Sequence, residues 1–312
     1  MRVLSFKILK TWYVENKRSL PWRGVVDPYV VWLSEIILQQ TRVNQGLEYF
    51  NKILKKYPTI HKLAAANENE LLVLWQGLGY YSRALNLHKT AKLVSLEMKG
   101  EFPKNFKGLL KLPGVGEYTA AAIASFCYKE VVPVLDGNVY RVISRIYGIN
   151  EPINTPTSRK IFIEKLNNVI SHSEPDTFNQ AIMEFGALQC TPKKPQCTSC
   201  PFQQECVAYN TNTIEQLPVK KKANAKKVEF RYYFYLHNNN KVAITKRDNN
   251  GIWKNLYEFP VLVSDKALMK SEINNRIFKE HPNSENSNLV INNPISKTKH
   301  LLSHIYMNIE FF

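Results

Sequence analysis

Four of the five cysteines lie close together in the sequence, at a spacing that suits metal ligation. Cys190, Cys197, Cys200 and Cys206 are separated by six, two and five residues. Four thiolates in so short a segment can surround one metal centre, either zinc or an iron–sulfur cluster. Structural zinc sites usually have two close pairs of ligands, and here only Cys197 and Cys200 form such a pair. We therefore expect a 4Fe-4S cluster, and we expect Cys127 to be a buried core residue.

Two carboxylates have sequence surroundings that favour opposite protonation states. Glu35 lies in "VVWLSEIILQQ", where no cation occupies a position three or four residues away, so its charged form is disfavoured. Asp136 ends an apolar run before a helix, where an N-cap carboxylate accepts backbone N–H bonds and stays anionic. One acid and one carboxylate suit hydrolysis of a glycosidic bond. A solvent-facing Glu35 and a purely structural Asp136 are the alternatives.

Two glycines flank a single valine in "LPGVGEYTAAA", residues 112–122. Gly114 and Gly116 allow the backbone to approach a ligand closely, and the N-terminus of the following helix can hold a phosphate. With Leu112 and Pro113 before it, the segment indicates a helix-hairpin-helix that binds the DNA backbone without reading sequence. A tight turn between two packed helices is the alternative.

The elements that position these residues are predicted to be helical over most of the chain. Apolar residues recur at helical spacing from about residue 3 to residue 208. The polar, lysine-rich stretch that follows predicts a linker, either near phosphates or simply solvated. Beyond it, "FRYYFYL" (230–236) and "KVAITKR" (241–247) are separated by "HNNN", which predicts a β-hairpin at the start of a smaller α+β domain.

Composition points to an anionic partner. The chain has 312 residues, a formal net charge of +16 and a pI near 9.5, so nucleic acid is the leading candidate and a merely soluble basic protein is the alternative. The N-terminus lacks the pattern of a signal peptide, and no stretch has eighteen uncharged apolar residues in a row. We therefore expect a cytoplasmic protein without a membrane partner, in which cysteines ligate metal in preference to forming disulfides.

Several motifs together resemble one known family. "LPGVG", then "LDGNVYRV", then the four-cysteine loop resemble the helix-hairpin-helix DNA glycosylases of the endonuclease III superfamily. Within that superfamily, "LPWR" (20–23), "SEIILQQT" (34–41), "GLGYYSRA" (77–84) and "FNQAIMEFGALQC" (178–190) are most similar to the MutY-type adenine DNA glycosylases. The resemblance implies a mostly α fold with an iron–sulfur loop and a C-terminal α+β Nudix-like domain.

The same resemblance implies removal of adenine mispaired with 8-oxoguanine or guanine in double-stranded DNA, by a monomeric, nucleoid-associated enzyme. Glu35 would protonate N7 of the flipped-out adenine, and Asp136 would stabilise or trap the sugar cation. Tyr118 and Asn138 match hydrogen-bonding residues of the family's active site. The residues expected to contact DNA are Arg23, Gln39, Gln40, Thr41, Tyr80, Leu112, Gly114, Gly116, Ser303 and His304; of these Arg23 would line the adenine pocket, and Gln40 and Tyr80 would probe the helix.

Two rival functions follow from the same residues. The bifunctional endonuclease III branch, which acts on oxidised pyrimidines, has a Schiff-base lysine where this chain has Tyr118, so we expect a monofunctional glycosylase. Some adenine glycosylases carry a lysine where this chain has Tyr140, so trapping there is not expected either. A non-catalytic iron–sulfur DNA-binding protein is the second rival, and the presence of both Glu35 and Asp136 disfavours it.

The resemblance also divides the chain into domains. It implies a glycosylase region at 1–208, a linker at 209–228 and a lesion-recognition domain at 229–312. The region at 1–208 would comprise a six-helix barrel module at about 22–130 and an iron–sulfur module from 1–21 and 131–208.

The C-terminal domain resembles the family through "VAITKRDNNGIWKNLYEFP" (242–260) and "KHLLSHIYMNIEFF" (299–312), but it lacks the glutamate-rich Nudix helix, so nucleotide hydrolysis is not expected. The family usually continues well past the serine–histidine motif, so we expect this domain to be incomplete. Ser303 and His304 would read the lesion, or else form a polar turn between strands.

Overall fold

The computed structural model describes residues 4–153, 155–171, 173–221, 225–238, 240–247, 252–253, 255–280, 292–302 and 304–312. The chain divides into two units, Met1–Lys221 and Lys222–Phe312. None of the described helices is both long enough and apolar enough to cross a membrane.

The first unit is built from helices, as the periodicity of its apolar residues predicts. Within the described residues they are α1 (Phe6–Asn16), α2 (Pro28–Leu38), α3 (Val43–Lys56), α4 (Ile60–Ala64), α5 (Glu68–Leu74), α6 (Ser82–Leu96), α7 (Phe106–Leu109), α8 (Glu117–Tyr128), α9 (Gly137–Tyr147), α10 (Pro156–Ile170), α11 (Pro175–Leu188) and α12 (Val207–Asn210).

Local sequence explains where the helices that carry the site begin. Helix α2 begins at Pro28, whose ring suits the first helical position, and the Asp27 side chain accepts a hydrogen bond from the Tyr29 backbone N–H. Helix α9 begins after Asp136, which caps it by accepting from the Val139 N–H. The predicted N-cap at Asp136 is therefore present in the structure. Both caps fix the starting point, and hence the rotation, of a helix that faces the candidate site.

Helix α11 lies at the centre of the packing in this unit, where it contacts α1, α8 and α9. Its Phe185 ring lies 4.9 Å from the Trp12 ring and 5.4 Å from the Phe202 ring, both in edge-to-face geometry. Aromatic pairs at these distances add about 0.5–1.5 kcal/mol each beyond the burial of their surface. This packing joins α1, α11 and the cysteine loop into one core.

The predicted linker at 209–228 differs from the structure over its first half. Residues 209–221 belong to the first unit, and Leu217 is 3% exposed. The buried Arg145 guanidinium donates to the carbonyls of Ile214 and Leu217, each at 3.1 Å. These residues are held because a buried arginine needs acceptors, which the segment supplies. The polar composition of the stretch gave no sign of this.

The second unit contains a four-stranded sheet with the order β6-β1-β8-β7. Strand β1 pairs in parallel with β8, and the β1–β6 and β7–β8 pairs are antiparallel. The described elements are β1 (Lys227–Tyr233), β2 (His237–Asn238), β3 (Lys241–Val242), β4 (Thr245–Lys246), β5 (Tyr257–Glu258), β6 (Val261–Ser264), α13 (Lys270–Glu280), β7 (Ser296–Leu301) and β8 (Ile305–Phe311).

The predicted hairpin at "HNNN" is present, but it is shorter than expected. His237 pairs with Val242 and Asn238 with Lys241 in the antiparallel strands β2 and β3, and the Ala243 N–H donates to the Leu236 carbonyl. Strand β1 has buried side chains and therefore occupies the interior of the larger sheet. Residues 241–247 instead form two exposed two-residue strands, which are too short to cover it.

Gly114 and Gly116, the two glycines of the 112–116 turn, differ in how strongly the fold requires glycine. Gly114 has φ of +73°, and a Cβ there would lie 2.7 Å from Cβ of Asn86. Gly116 has φ of −87° and caps α8, and a Cβ there would meet nothing within 4 Å. Gly114 is therefore required by the fold, whereas Gly116 leaves open space in front of the α8 N-terminus.

We predict that Gly114→Ala lowers the free energy of unfolding by about 1–3 kcal/mol, because alanine is strained at positive φ and collides with Asn86. Gly116→Ala serves as the matched control and is expected to cost less than about 1 kcal/mol, the loss of a glycine N-cap. Urea unfolding of both variants measures the difference. Equal destabilisation by the two changes would contradict the distinction.

Candidate active site

A cavity of about 250 Å³ lies where α2, α8, α9 and α11 meet the segment between α1 and α2. It brings together six residues that the sequence predicted for the site: Arg23, Glu35, Thr41, Tyr118, Asp136 and Asn138. The remaining lining residues are Arg18, Leu20, Trp22, Val31, Ser34, Leu38, Val43, Phe126, Gln180, Met183, Glu184 and Ala187.

Glu35 is a buried carboxylic acid on α2 that lines this cavity. It is 6% exposed, and the residues on either side of it in the helix are also buried. Burial raises the pKa of Glu35 to about 7; a hydrogen bond from the Tyr118 hydroxyl opposes this rise, and the negative charge of Asp136 adds to it. The carboxyl group is therefore substantially protonated at neutral pH.

Asp136 combines a capping role with a position on the cavity wall. Its Oδ1 accepts from the Val139 N–H and its Oδ2 accepts from the Asn138 amide, both at 2.8 Å. Asn138 is oriented in turn by Arg141, whose Nη2 donates to the Asn138 Oδ1 at 2.9 Å. Burial raises the pKa of Asp136 above its ordinary value, although these hydrogen bonds and the charge of Arg141 oppose the rise. The sequence accounted for the hydrogen bonds but not for the burial.

Tyr118 lies at the start of α8, beside both carboxyl groups. Burial raises its pKa well above 10, and the negative charges of Glu35 and Asp136 add to the effect. Its hydroxyl group therefore remains protonated and able to donate a hydrogen bond in the cavity. The same oxygen lies 3.9 Å from Sδ of Met183.

Glu184 forms a buried ion cluster with two arginines, which the sequence did not predict. Arg18 donates to Glu184 through its backbone N, Nε and Nη2 at 2.8, 2.9 and 2.7 Å, and Arg23 Nη2 donates at 3.0 Å. Burial raises the pKa of Glu184, but the hydrogen bonds from Arg18 and the charges of both arginines outweigh it and hold the pKa below its usual value. The sequence signal for this cluster was the charged Glu184 among the apolar residues of α11.

Gln40 and Tyr80 lie outside the cavity lining, on two neighbouring loops. Both have positive φ, +57° and +48°, which is uncommon for residues other than glycine. The Arg83 guanidinium joins the two loops. Its Nη1 donates to acceptors of the first loop, the carbonyls of Ile36, Ile37 and Gln39 and the hydroxyl of Thr41. Its Nη2 donates to the carbonyls of Leu78 and Gly79 in the second loop. Sequence reasoning missed Arg83.

The remaining predicted DNA contacts are not among the residues that line the cavity. Gln39 donates to the Thr119 hydroxyl at 3.3 Å, and Leu112 is 2% exposed and belongs to the buried core. Ser303 lies outside the described residues. His304 lies in the second unit, where its carbonyl accepts from the Lys227 N–H.

The four cysteines at 190–206 line one small, largely apolar cavity. Arg145 borders it and directs Nη1 to the Cys190 sulfur at 3.5 Å. As the side chains of the described residues stand, no three cysteine, histidine, aspartate or glutamate groups converge as metal ligands. The chemistry of the site nevertheless fits a thiolate-ligated group, because four thiols line one cavity beside a hydrogen-bond donor.

The helical unit matches known base excision proteins. Residues 33–168 match the HhH-GPD superfamily of base excision DNA repair proteins. A thermostable thymine-DNA glycosylase has a similar structure, with a TM-score of 0.61 and 29% identity over 66% of this chain and 94% of that one. An endonuclease III–DNA covalent intermediate shares the fold, with a TM-score of 0.57 and 23% identity over the same shares of the two chains.

Comparison with individual proteins identifies the family within this superfamily. The chain is 37% identical, over 99% of its own length and 89% of the relative's, to the adenine DNA glycosylase of Buchnera aphidicola subsp. Schizaphis graminum (strain Sg). This chain belongs to the adenine DNA glycosylase family.

We predict that Glu35 makes stability fall with rising pH. The pKa of Glu35 is about 4.5 in the unfolded chain and about 7 in the folded protein. Between these pH values the native state therefore binds one more proton than the unfolded chain. The stabilisation is present below about pH 4.5 and is lost as pH rises to 7, on the order of 3 kcal/mol in all. Denaturant unfolding of the wild type and Glu35→Gln from pH 5 to 8 tests this. The variant should lack this component, and parallel curves would contradict it.

Proposed function

We propose that this protein removes adenine mispaired with 8-oxoguanine or guanine from double-stranded DNA by hydrolysing the N-glycosidic bond. The observation that carries the proposal is the pairing of Glu35, a buried acid with a pKa near 7, with the hydrogen-bonded Asp136 in one cavity. Membership of the adenine DNA glycosylase family supports the choice of base.

The two carboxyl groups take different roles in the proposed reaction. Protonated Glu35 donates its proton to N7 of the flipped-out adenine, which makes the base a better leaving group. The anionic form of Asp136 then stabilises the oxocarbenium ion on the sugar until water adds. Tyr118 donates a hydrogen bond within the cavity, and Asn138 holds the Asp136 carboxylate in position.

The proposed reaction ends at the abasic site. A lyase that works through a Schiff base needs an uncharged lysine amine at the sugar. Among the described residues that line the cavity there is no lysine, and Tyr118 stands at the start of α8, where the resemblance to the bifunctional branch implies that amine. This arrangement favours a monofunctional glycosylase.

DNA is proposed to contact the first unit at three places. The open space before Gly116 and the N-terminus of α8 suits a backbone phosphate. Tyr80 is 56% exposed and lies with Gln40 on the loops that Arg83 joins, where both side chains can enter the base stack. Arg23 lines the cavity that would receive the adenine.

The four cysteines are proposed to hold a 4Fe-4S cluster within residues 131–208. Cys190, Cys197, Cys200 and Cys206 would be its ligands, and the Arg145 guanidinium would donate to the Cys190 sulfur. The cluster would fix the loop after α11 as a structural cross-link. A cluster held there would lie beside α9 and α11. It would therefore connect the cysteine loop to the two helices that position Asp136 and Glu184.

The second unit is proposed to be a Nudix-like domain that recognises 8-oxoguanine. In the sequence His304 follows Ser303 and directly precedes strand β8. Each of these side chains can donate or accept a hydrogen bond, and 8-oxoguanine differs from guanine by an N7–H donor and an O8 acceptor.

We expect Glu35→Gln to slow adenine excision by at least about 10²-fold, because the amide cannot supply the proton. The wild-type rate should fall as pH rises through about 7, where Glu35 loses its proton. Single-turnover excision on a duplex with adenine opposite 8-oxoguanine measures both, and a gel-shift assay checks that binding persists. Asp136→Asn should also slow chemistry more than binding. Near-normal excision by Glu35→Gln would remove Glu35 from the mechanism.

The lesion preference should depend on the second unit. The double change Ser303→Ala with His304→Ala is expected to slow excision opposite 8-oxoguanine and spare excision opposite guanine. Loss of about 1–3 kcal/mol of contact shrinks the preference by roughly ten- to a hundredfold. Single-turnover rates on the two duplexes decide the matter, and an unchanged ratio would assign these residues a structural role.

The cofactor proposal predicts a coloured protein. Purified anaerobically, the protein should be yellow-brown with a broad absorption band at about 400 nm. This band arises from iron–sulfur charge transfer, which zinc cannot produce. Elemental analysis gives the independent check. One zinc and no iron per chain would reject the cluster.

A further inference from the structure

A second cavity, of about 410 Å³, lies beside the candidate active site. The two cavities share four lining residues, Arg18, Leu20, Arg23 and Gln180. The volume falls within the range of about 300–1,000 Å³ that is typical of small-molecule sites. The residues found only in the second cavity are Tyr13, Lys17, Ser19, Gly24, Asp176 and Thr177.

The partition between the cavities is held by side-chain hydrogen bonds. Arg23 contributes to both sides, since its Nη2 donates to Glu184 of the first cavity and its Nη1 lies 3.2 Å from the Tyr13 hydroxyl of the second. The Tyr13 hydroxyl in turn lies 3.4 Å from Oε1 of Gln180. Rotation of these side chains would open the partition without breaking any backbone hydrogen bond of α1 or α11.

The wall of the second cavity carries polar side chains, among them Asp176, Thr177 and Gln180. Free adenine carries N–H groups and ring nitrogens that can hydrogen-bond to such side chains. Lys17, Ser19 and Gly24 are exposed at the edge of the cavity, so it opens to solvent.

We infer that the second cavity is the exit for the free adenine base after the glycosidic bond is broken. The inference rests on the proposed function. The base enters attached to its strand, so the abasic product DNA still occupies the entrance after cleavage. An exit past Arg23 and Gln180 into the second cavity lets the base leave while DNA stays bound.

The experiment compares the departure of the base with that of the DNA. A duplex labelled with ¹⁴C in the target adenine is fixed to beads, excess enzyme is added for one turnover, and label and protein are followed in solution. We expect the label to leave the complex at least about tenfold faster than the protein. Simultaneous departure of label and protein would overturn the proposed exit.

Bulky substitutions in the second cavity provide the decisive variants. Ser19→Trp, and separately Thr177→Trp, should slow release of the label by about tenfold or more and leave the rate of strand cleavage at alkali-treated abasic sites unchanged. Glu15→Trp, on an exposed position of α1 outside both cavities, is the matched control. Release at the wild-type rate from both plugged variants would refute the inference. Absence of excision in the wild type would instead refute the proposed function.

Discussion

Removal of the Glu35 carboxyl group from water is the constraint on which the rest of the structure depends. An ionised carboxylate in so apolar a position is costly, and the protein meets that cost by binding a proton. The environment persists because α2 is buried along most of its length and packs against α8, which also carries Tyr118. The packing of the helical core around α2 therefore sets the acidity of a single side chain.

Three carboxyl groups in one cavity behave differently because their partners differ. Glu184 is as buried as Glu35, but two guanidinium groups hold it ionised. Asp136 is between these extremes, since its partners are an amide and a backbone N–H. Proximity alone would raise every pKa through mutual repulsion. Each carboxyl group receives a different set of hydrogen-bond donors from α9 and from the segment after α1. This difference separates the pKa values of the three groups.

Local features of the fold and site were predictable from sequence, and long-range ones were not. The helices, the cap at Asp136 and the apolar setting of Glu35 all depend on residues within a few positions. The ion cluster of Glu184 joins residues more than 160 positions apart, so no pattern in either segment pairs them. The hairpin was predicted at the right turn but with strands that are too long, for a related reason: β1 pairs with the distant β8, and a short turn signal carries no information about that partner.

Arg83 has a consequence for how sequence changes in this region are interpreted. Because one guanidinium binds carbonyls from both loops, the positions of Gln40 and Tyr80 are not independent of each other. Lysine carries a point charge and cannot reproduce the forked set of donors that spans the two loops. Loss of Arg83 would therefore imitate simultaneous damage to both loops, and no compensating change in one loop alone could restore the other.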